Sequence, residues 1–117
     1  MAKILVVDDE EKFTKLYSTI LMKEGYEVVT ASGAERGLEL AVSSQPDLIL
    51  LDVMMPSVDG PEMLERLAAD ARTKHIPVIF LTSLIKEGEA QAEIGGHTYI
   101  SKSAPREKFI AEVKQAL

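Results

Sequence analysis

Five apolar runs of strand length recur along this chain, and helix-length segments separate them. The runs are "KILVVD" (3–8), "EVVTA" (27–31), "DLILLD" (47–52), "PVIFLT" (77–82) and "TYIS" (98–101). Runs that are apolar without alternation belong to strands buried on both faces. Strands that alternate with helices imply βαβ units and a parallel sheet. The expected fold is therefore α/β and doubly wound, with five parallel strands in the order 2-1-3-4-5 and helices on both faces. A sheet of that order takes its ligand at the carboxyl ends of its strands, between strands 1 and 3.

The intervening segments carry helix signals. Residues 11–23 place Phe13, Leu16, Tyr17, Ile20 and Leu21 at helical spacing, with Gly25 as a stop. Ser32 is an expected N-cap for a helix near 33–44, closed by Pro46. Pro56 and Gly60 mark an irregular loop, and Pro61 suits the first turn of a helix running to about Ala71. The polar, glycine-interrupted segment 83–96 is expected to hold one short helix. Residues 105–116 place Phe109, Ile110 and Val113, with Leu117 after them, on one face of a closing helix. The chain of 117 residues is read as one domain, 1–117.

Composition removes several function classes. There is no Cys, which excludes disulfides, thiolate metal sites and a Cys nucleophile. No apolar segment approaches the roughly 20 residues that span a bilayer, and the N-terminus does not read as a signal peptide. The expected location is the cytoplasm, with no membrane partner. Net charge is −6 and the bases are scattered, so direct nucleic-acid binding is not expected.

In the expected strand order, three acids converge. Asp8 and Asp9 end strand 1 and Asp52 ends strand 3, which are neighbours at the switch point. Two unit charges at 4 Å repel by about 4 kcal/mol at an effective dielectric of 20. Such a cluster needs a bound cation or a nearby base. Lys102 ends the last strand within reach of Asp52, and Thr82 ends strand 4 with a hydroxyl. Hard oxygen ligands open to water suit Mg²⁺ better than a closed Ca²⁺ cage. Mg²⁺, a Lys and a hydroxyl donor are the groups that stabilise a phosphoryl group in transfer to an acceptor oxygen. Each residue alone has an ordinary explanation: a helix cap, a turn residue or a solvated Lys. Their joint placement at strand ends 1, 3, 4 and 5 favours a site. His75 and His97 have no partner at ligand spacing and read as exposed, while the Met54–Met55 pair reads as packing.

On these residues the sequence resembles the receiver domain of two-component response regulators, over its whole length. "ILVVDDE" is similar to the family's first strand and acidic pair, and "PDLILLDVMMPSVDG" to its phosphoacceptor strand and loop. "PVIFLTS" and "YISK" are similar to its fourth and fifth strands. The resemblance implies a flavodoxin-like (βα)5 fold and a phosphorelay function. Asp52 would accept a phosphoryl group from the phosphohistidine of a sensor histidine kinase or a histidine phosphotransfer protein. Asp9, Asp52 and the backbone carbonyl of Met54 would ligate Mg²⁺, and Asp8 would act through metal-bound water. Lys102 and Thr82 would contact the phosphoryl group. Tyr99 would change rotamer with Thr82 and alter the face of the fourth helix, fifth strand and closing helix. Met54 and Leu84 would tune dephosphorylation. The resemblance implies no enzyme beyond this self-directed chemistry, an unspecified downstream effector, and a monomer or phosphorylation-dependent dimer.

Two features depart from the family. The Pro that usually follows the Lys, often after a cis peptide, is replaced by Ser103. A cis bond there would cost about 2.5–4 kcal/mol, so a trans or looser loop is expected. The Thr82–Lys102 segment is also shorter than usual and contains Gly88, Gly95 and Gly96, so the fourth helix is expected to be short, displaced or mobile. Other classes fit less well. An inactive receiver used only for binding would not keep all five core residues. A phosphohydrolase of the haloacid-dehalogenase type needs a second Asp two residues after the first, where Met54 stands. A flavodoxin would want a phosphate-cradling loop where this chain has the anionic "DDEEKF".

Overall fold

In the computed structural model, residues 1–55, 58–83 and 97–117 are described in full and 91–94 through their backbone. The chain runs β1 (Lys3–Val7), α1 (Glu11–Lys23), β2 (Glu27–Ala31), α2 (Ala34–Ser44), β3 (Leu48–Asp52) and α3 (Gly60–Ala69). It continues with β4 (Val78–Thr82), β5 (Gln91–Ile94), β6 (His97–Ser101) and α4 (Arg106–Ala116). The sheet order is β2-β1-β3-β4-β6-β5. The five strands expected from the apolar runs are parallel and stand in the expected 2-1-3-4-5 order, β6 being the fifth of them.

The segment 83–96, expected to hold one short helix, contributes a sixth strand that was not expected. Within that segment Gln91–Ile94 is not helical but pairs antiparallel with β6 at the sheet edge. Residues 84–90, 95 and 96 lie outside the described residues. The physical reason is competition. Gln, Ala and Glu favour a helix, but local propensity is a weak preference that tertiary pairing overrides. The edge of β6 offers unpaired N–H and C=O groups instead.

Alternate side chains of each strand go to opposite faces. Ile4, Val6, Leu48, Leu50, Ile79, Leu81 and Ile100 pack with Tyr17 and Leu21 of α1 and with Phe109 and Val113 of α4. Leu5, Val7, Ile49, Leu51 and Phe80 pack with Ala34 and Ala41 of α2 and with Met63 and Leu67 of α3. Burying each such side chain contributes about 1.5–3 kcal/mol. These two layers make the sheet a rigid base for the loops at its carboxyl edge.

The helix ends are largely as read. Pro61 falls in the first turn of α3, where Asp59 caps the helix by accepting the Glu62 N–H at 2.9 Å. Three expectations fail. Leu117 does not share the packed face of α4 and is exposed at the helix end, where Phe109 and Val113 take the buried positions. Ser32 is not the α2 cap; Gly33 occupies that position with no side-chain cap bond. Leu16 is exposed, because Thr14, Tyr17 and Leu21 take the buried face of α1. Gly60 matters for the site. A Cβ there would stand 2.7 Å from the Asp52 carbonyl oxygen and 2.9 Å from the Val53 Cα, so only glycine lets α3 start this close to the end of β3. The Gly60 N–H then donates to the Val53 carbonyl at 2.9 Å.

Candidate functional site

Strand register brings the acids together. Val7 pairs with Leu51, so the next residues, Asp8 and Asp52, leave the sheet side by side. The Asp8 N–H donates to the Ala31 carbonyl at 3.1 Å, and Asp8 Oδ1 accepts the Glu10 N–H at 2.9 Å. These bonds turn the Asp8 side chain inward, where it is 0% exposed. Asp52 and Thr82 are also buried, whereas Asp9 and Glu10 face solvent. On the far side the Lys102 N–H donates to the Thr82 carbonyl at 2.8 Å, which continues the β4–β6 ladder by one residue.

Lys102 crosses the crevice as the sequence suggests, and its nearest acid is Asp8. Its Nζ lies 2.9 Å from Asp8 Oδ2, 3.3 Å from Asp52 Oδ1 and 4.0 Å from Glu10 Oε1, with its side chain 7% exposed. Asp52 Oδ1 also accepts the Met54 N–H at 3.3 Å. The Lys102–Ser103 peptide is trans. The turn is held without the missing Pro: Ser101 Oγ accepts the Ser103 N–H at 3.1 Å, and the two hydroxyls lie 2.8 Å apart.

The electrostatics do not balance. Asp8, Asp52 and Glu10 compete for the Lys102 ammonium, and among the described residues only the exposed Glu10 has a second cation, Lys12 at 3.6 Å. Burial pushes the Asp52 carboxyl up to about 7, and the charge of Asp8 pushes the same way; Lys102 opposes them. A hydrogen bond with Asp9 adds to the rise, and the Met54 N–H works against it. For Lys102, burial alone would lower the pKa, but the hydrogen bond and charge of Asp8, then Asp52, hold it above its ordinary value. The Tyr17 phenol is raised by burial and then by Asp8 and Asp52. One ammonium thus answers Asp8 and leaves Asp52 under-compensated. Carboxylate oxygens of Asp8, Asp9 and Glu10 lie within 4.8 Å of one another. Hard oxygens in excess negative charge fit a small divalent cation.

Of the expected residues, Asp8, Asp52 and Lys102 are in direct contact, and Asp9 reaches Asp52. Thr82 ends β4 at the same edge. Tyr99 lies on β6 with its ring stacked on Phe80, centroids 4.9 Å apart at 22°. The Met54–Met55 reading holds for one residue only: Met55 is in the core, whereas Met54 is 63% exposed. Leu84 lies outside the described residues. His75 and His97 are exposed as read, and the His97 ring meets Phe80 edge-on at 5.9 Å. The sequence reading missed two neighbours of Lys102. Glu10 had its signal in the run of four carboxylates. Phe13 had none, since its spacing marks it as a core residue of α1.

Residues 4–114 match the family model described as the response regulator receiver domain. The master transcriptional regulator RpaA of Synechocystis, named as DNA-binding, is 40% identical over 122 residues; the alignment covers 100% of this chain and 49% of RpaA. The polar-differentiation response regulator DivK of Brucella ovis is 34% identical over 116 residues, covering 97% of this chain and 94% of DivK. The chemotaxis protein CheY4 of Vibrio cholerae superposes with a TM-score of 0.87 at 29% identity, over 100% of this chain and 99% of CheY4. The chain thus spans about half the length of RpaA and nearly all of DivK.

Proposed function

Because this chain belongs to the response regulator receiver domain family of two-component signalling, we propose that it is a Mg²⁺-dependent phosphoryl acceptor, with Asp52 as the accepting residue. The observation that carries this reading is the Lys102 ammonium bridging Asp8 at 2.9 Å and Asp52 at 3.3 Å at the switch point of the sheet. A carboxylate oxygen of Asp52 attacks phosphorus as the bond from phosphorus to the donor imidazole nitrogen breaks. The electron pair stays on the imidazole, and the product is an acyl phosphate. The Met54 N–H and the Lys102 ammonium orient Asp52 through Oδ1. Lys102 and the Thr82 hydroxyl donate to phosphoryl oxygens as charge develops there. Asp9 and Asp52, with the Met54 carbonyl, would hold Mg²⁺, and Asp8 would act through a water bound to it. The ion supplies neutralisation of the clustered carboxylates and of the incoming phosphoryl charge.

The partner is a sensor histidine kinase or a histidine phosphotransfer protein, and the unit is residues 1–117, acting in the cytoplasm on no substrate but itself. Among the described residues no helix is long and apolar enough to cross a membrane. Movement of Thr82 toward the phosphoryl group, followed by Tyr99 on β6, alters the surface beside α4 that an effector reads. By resemblance to the family, Met54 and Leu84 are the positions whose side chains would direct water at phosphorus, and neither a Met nor a Leu side chain can direct it. The test is intact-mass measurement after incubation with acetyl phosphate, with and without Mg²⁺. One phosphoryl group is expected on the wild type with Mg²⁺ and none on Asp52→Asn. Equal labelling of both proteins contradicts the assignment.

A further inference from the structure

The Lys102 ammonium meets carboxylates on one side and an aromatic ring on another. Its Nζ lies 4.2 Å from the centroid of the Phe13 ring, while Asp8 and Asp52 hold it at 2.9 and 3.3 Å. Phe13 is half-buried in the first turn of α1. Its ring is fixed from behind: it stacks with Tyr17 at 6.1 Å and 18°, and Tyr17 stacks with Phe109 of α4 at 4.8 Å and 29°. Lys12 lies at 5.2 Å from the same ring, but Lys12 is exposed and also pairs with Glu10 at 3.6 Å. The ring therefore has one buried cation to hold, and that cation is Lys102.

An ammonium stripped of water needs something in place of its hydration shell. Carboxylates attract it but do not fix its direction, because three acids compete for it here. The negative face of an aromatic ring attracts a cation without accepting a proton and without adding charge to an already acidic cluster. It also leaves the ammonium's N–H groups for oxygen acceptors. A leucine at this position would fill similar space and offer no such attraction.

We propose that Phe13 is a positioning residue: it holds the Lys102 ammonium over Asp52, in place for the oxygens of an arriving phosphoryl group. This rests on the reading of Asp52 as the phosphoryl acceptor. The aromatic stack Phe13–Tyr17–Phe109 keeps the ring from turning away, so the chain's first and last helices jointly set the position of the ammonium.

The test uses the full chain with Phe13→Leu, Phe13→Tyr, and mono-, di- and trifluorophenylalanine at position 13. Fluorination drains the ring's negative face while preserving its shape, so packing is held nearly constant. Two quantities are followed: the rate of Asp52 labelling by acetyl phosphate with Mg²⁺, and the proton NMR signals of the Lys102 side chain. Labelling is expected to fall roughly threefold to tenfold in Phe13→Leu, to stay near wild type in Phe13→Tyr, and to fall step by step along the fluorinated series at an unchanged melting temperature. The upfield ring-current displacement of the Lys102 methylene next to the ammonium is expected in the wild type and lost in Phe13→Leu. A flat fluorinated series overturns the proposal, even with a slow Phe13→Leu, since the ring then acts by packing alone. A wild type showing the ring-current displacement but no labelling of Asp52 overturns the phosphoacceptor reading and, with it, Phe13's part in that reaction.

Discussion

Two clusters pair carboxylates with cations, and they behave in opposite ways. On the surface Arg72 grips Asp70 with two hydrogen bonds, at 2.8 and 3.1 Å, and holds its carboxyl down at about 2. In the crevice Lys102 approaches Asp52 to 3.3 Å, yet the Asp52 carboxyl is pushed up to about 7. Proximity to a cation does not decide the outcome. Asp70 has water and a partner to itself. Asp52 has lost its water and shares one ammonium with Asp8, which is nearer and more deeply buried. A site built to receive more positive charge is one whose own charges do not cancel.

Removing the cation should separate the two clusters most sharply. Lys102→Met leaves Asp8 buried and unpaired, and chemical denaturation should register a loss of about 3 kcal/mol, at the low end for a broken buried ion pair. A loss no larger than that of an exposed substitution would mean that water reaches Asp8 freely.

Removing the acid should have the opposite sign. In metal-free buffer Asp52→Asn should gain about 1–2 kcal/mol near pH 7.5, well below the unscreened repulsion. The folded Asp52 carboxyl titrates above its ordinary value of 3.8, at about 7. Its contribution is therefore fully present below pH 3.8 and is lost as pH rises through 7. The gap between wild type and Asp52→Asn should accordingly open across that window and close below it. Mg²⁺ should raise the wild-type melting temperature and leave Asp9→Asn nearly unmoved. Parallel pH profiles for wild type and Asp52→Asn would show that burial does not raise this group.

Met54 belongs to both regions, with its N–H on Asp52 and its side chain in solvent. Met54→Asn should speed loss of label from the phosphorylated protein about threefold to tenfold, a fraction of the 10²–10⁴ available to a fully used positioning group. Unchanged decay of label, followed by mass, would remove Met54 from control of the attacking water. The smallest effect is expected at the surface. Arg72→Ala should leave the melting temperature at pH 7 indistinguishable from wild type. Asp70 is held below its ordinary value, so its small contribution exists at neutral pH and fades only as pH falls toward 2.

The parallel strands and the acid cluster were legible for one reason. Unbroken runs such as "LILL" can only be buried on both faces, and residues that end such runs stand at one edge of the sheet. Asp8, Asp52, Thr82 and Lys102 were placed by that logic alone. The strand Gln91–Ile94 was not, although the two glycines that separate it from β6 are a hairpin signal in the sequence. Its residues favour a helix, and a vacant sheet edge overruled them. Leu16 and Met54 were misplaced because spacing along a helix or loop names a stripe, not which side chain the neighbouring layer reaches.

The sequence by itself determined the fold class, the five parallel strands and which groups share their carboxyl edge: unbroken burial along the runs names the strands, and the usual order of a doubly wound sheet places their ends together. Only the tertiary structure decided that Lys102 pairs first with Asp8, that Asp52 is left under-compensated, and that the Phe13 ring stands against the ammonium. Those are distances between side chains from β1, β3, β6 and α1, elements separated along the chain. Differences of less than an ångström among competing partners set them, and no periodicity in the sequence encodes such differences.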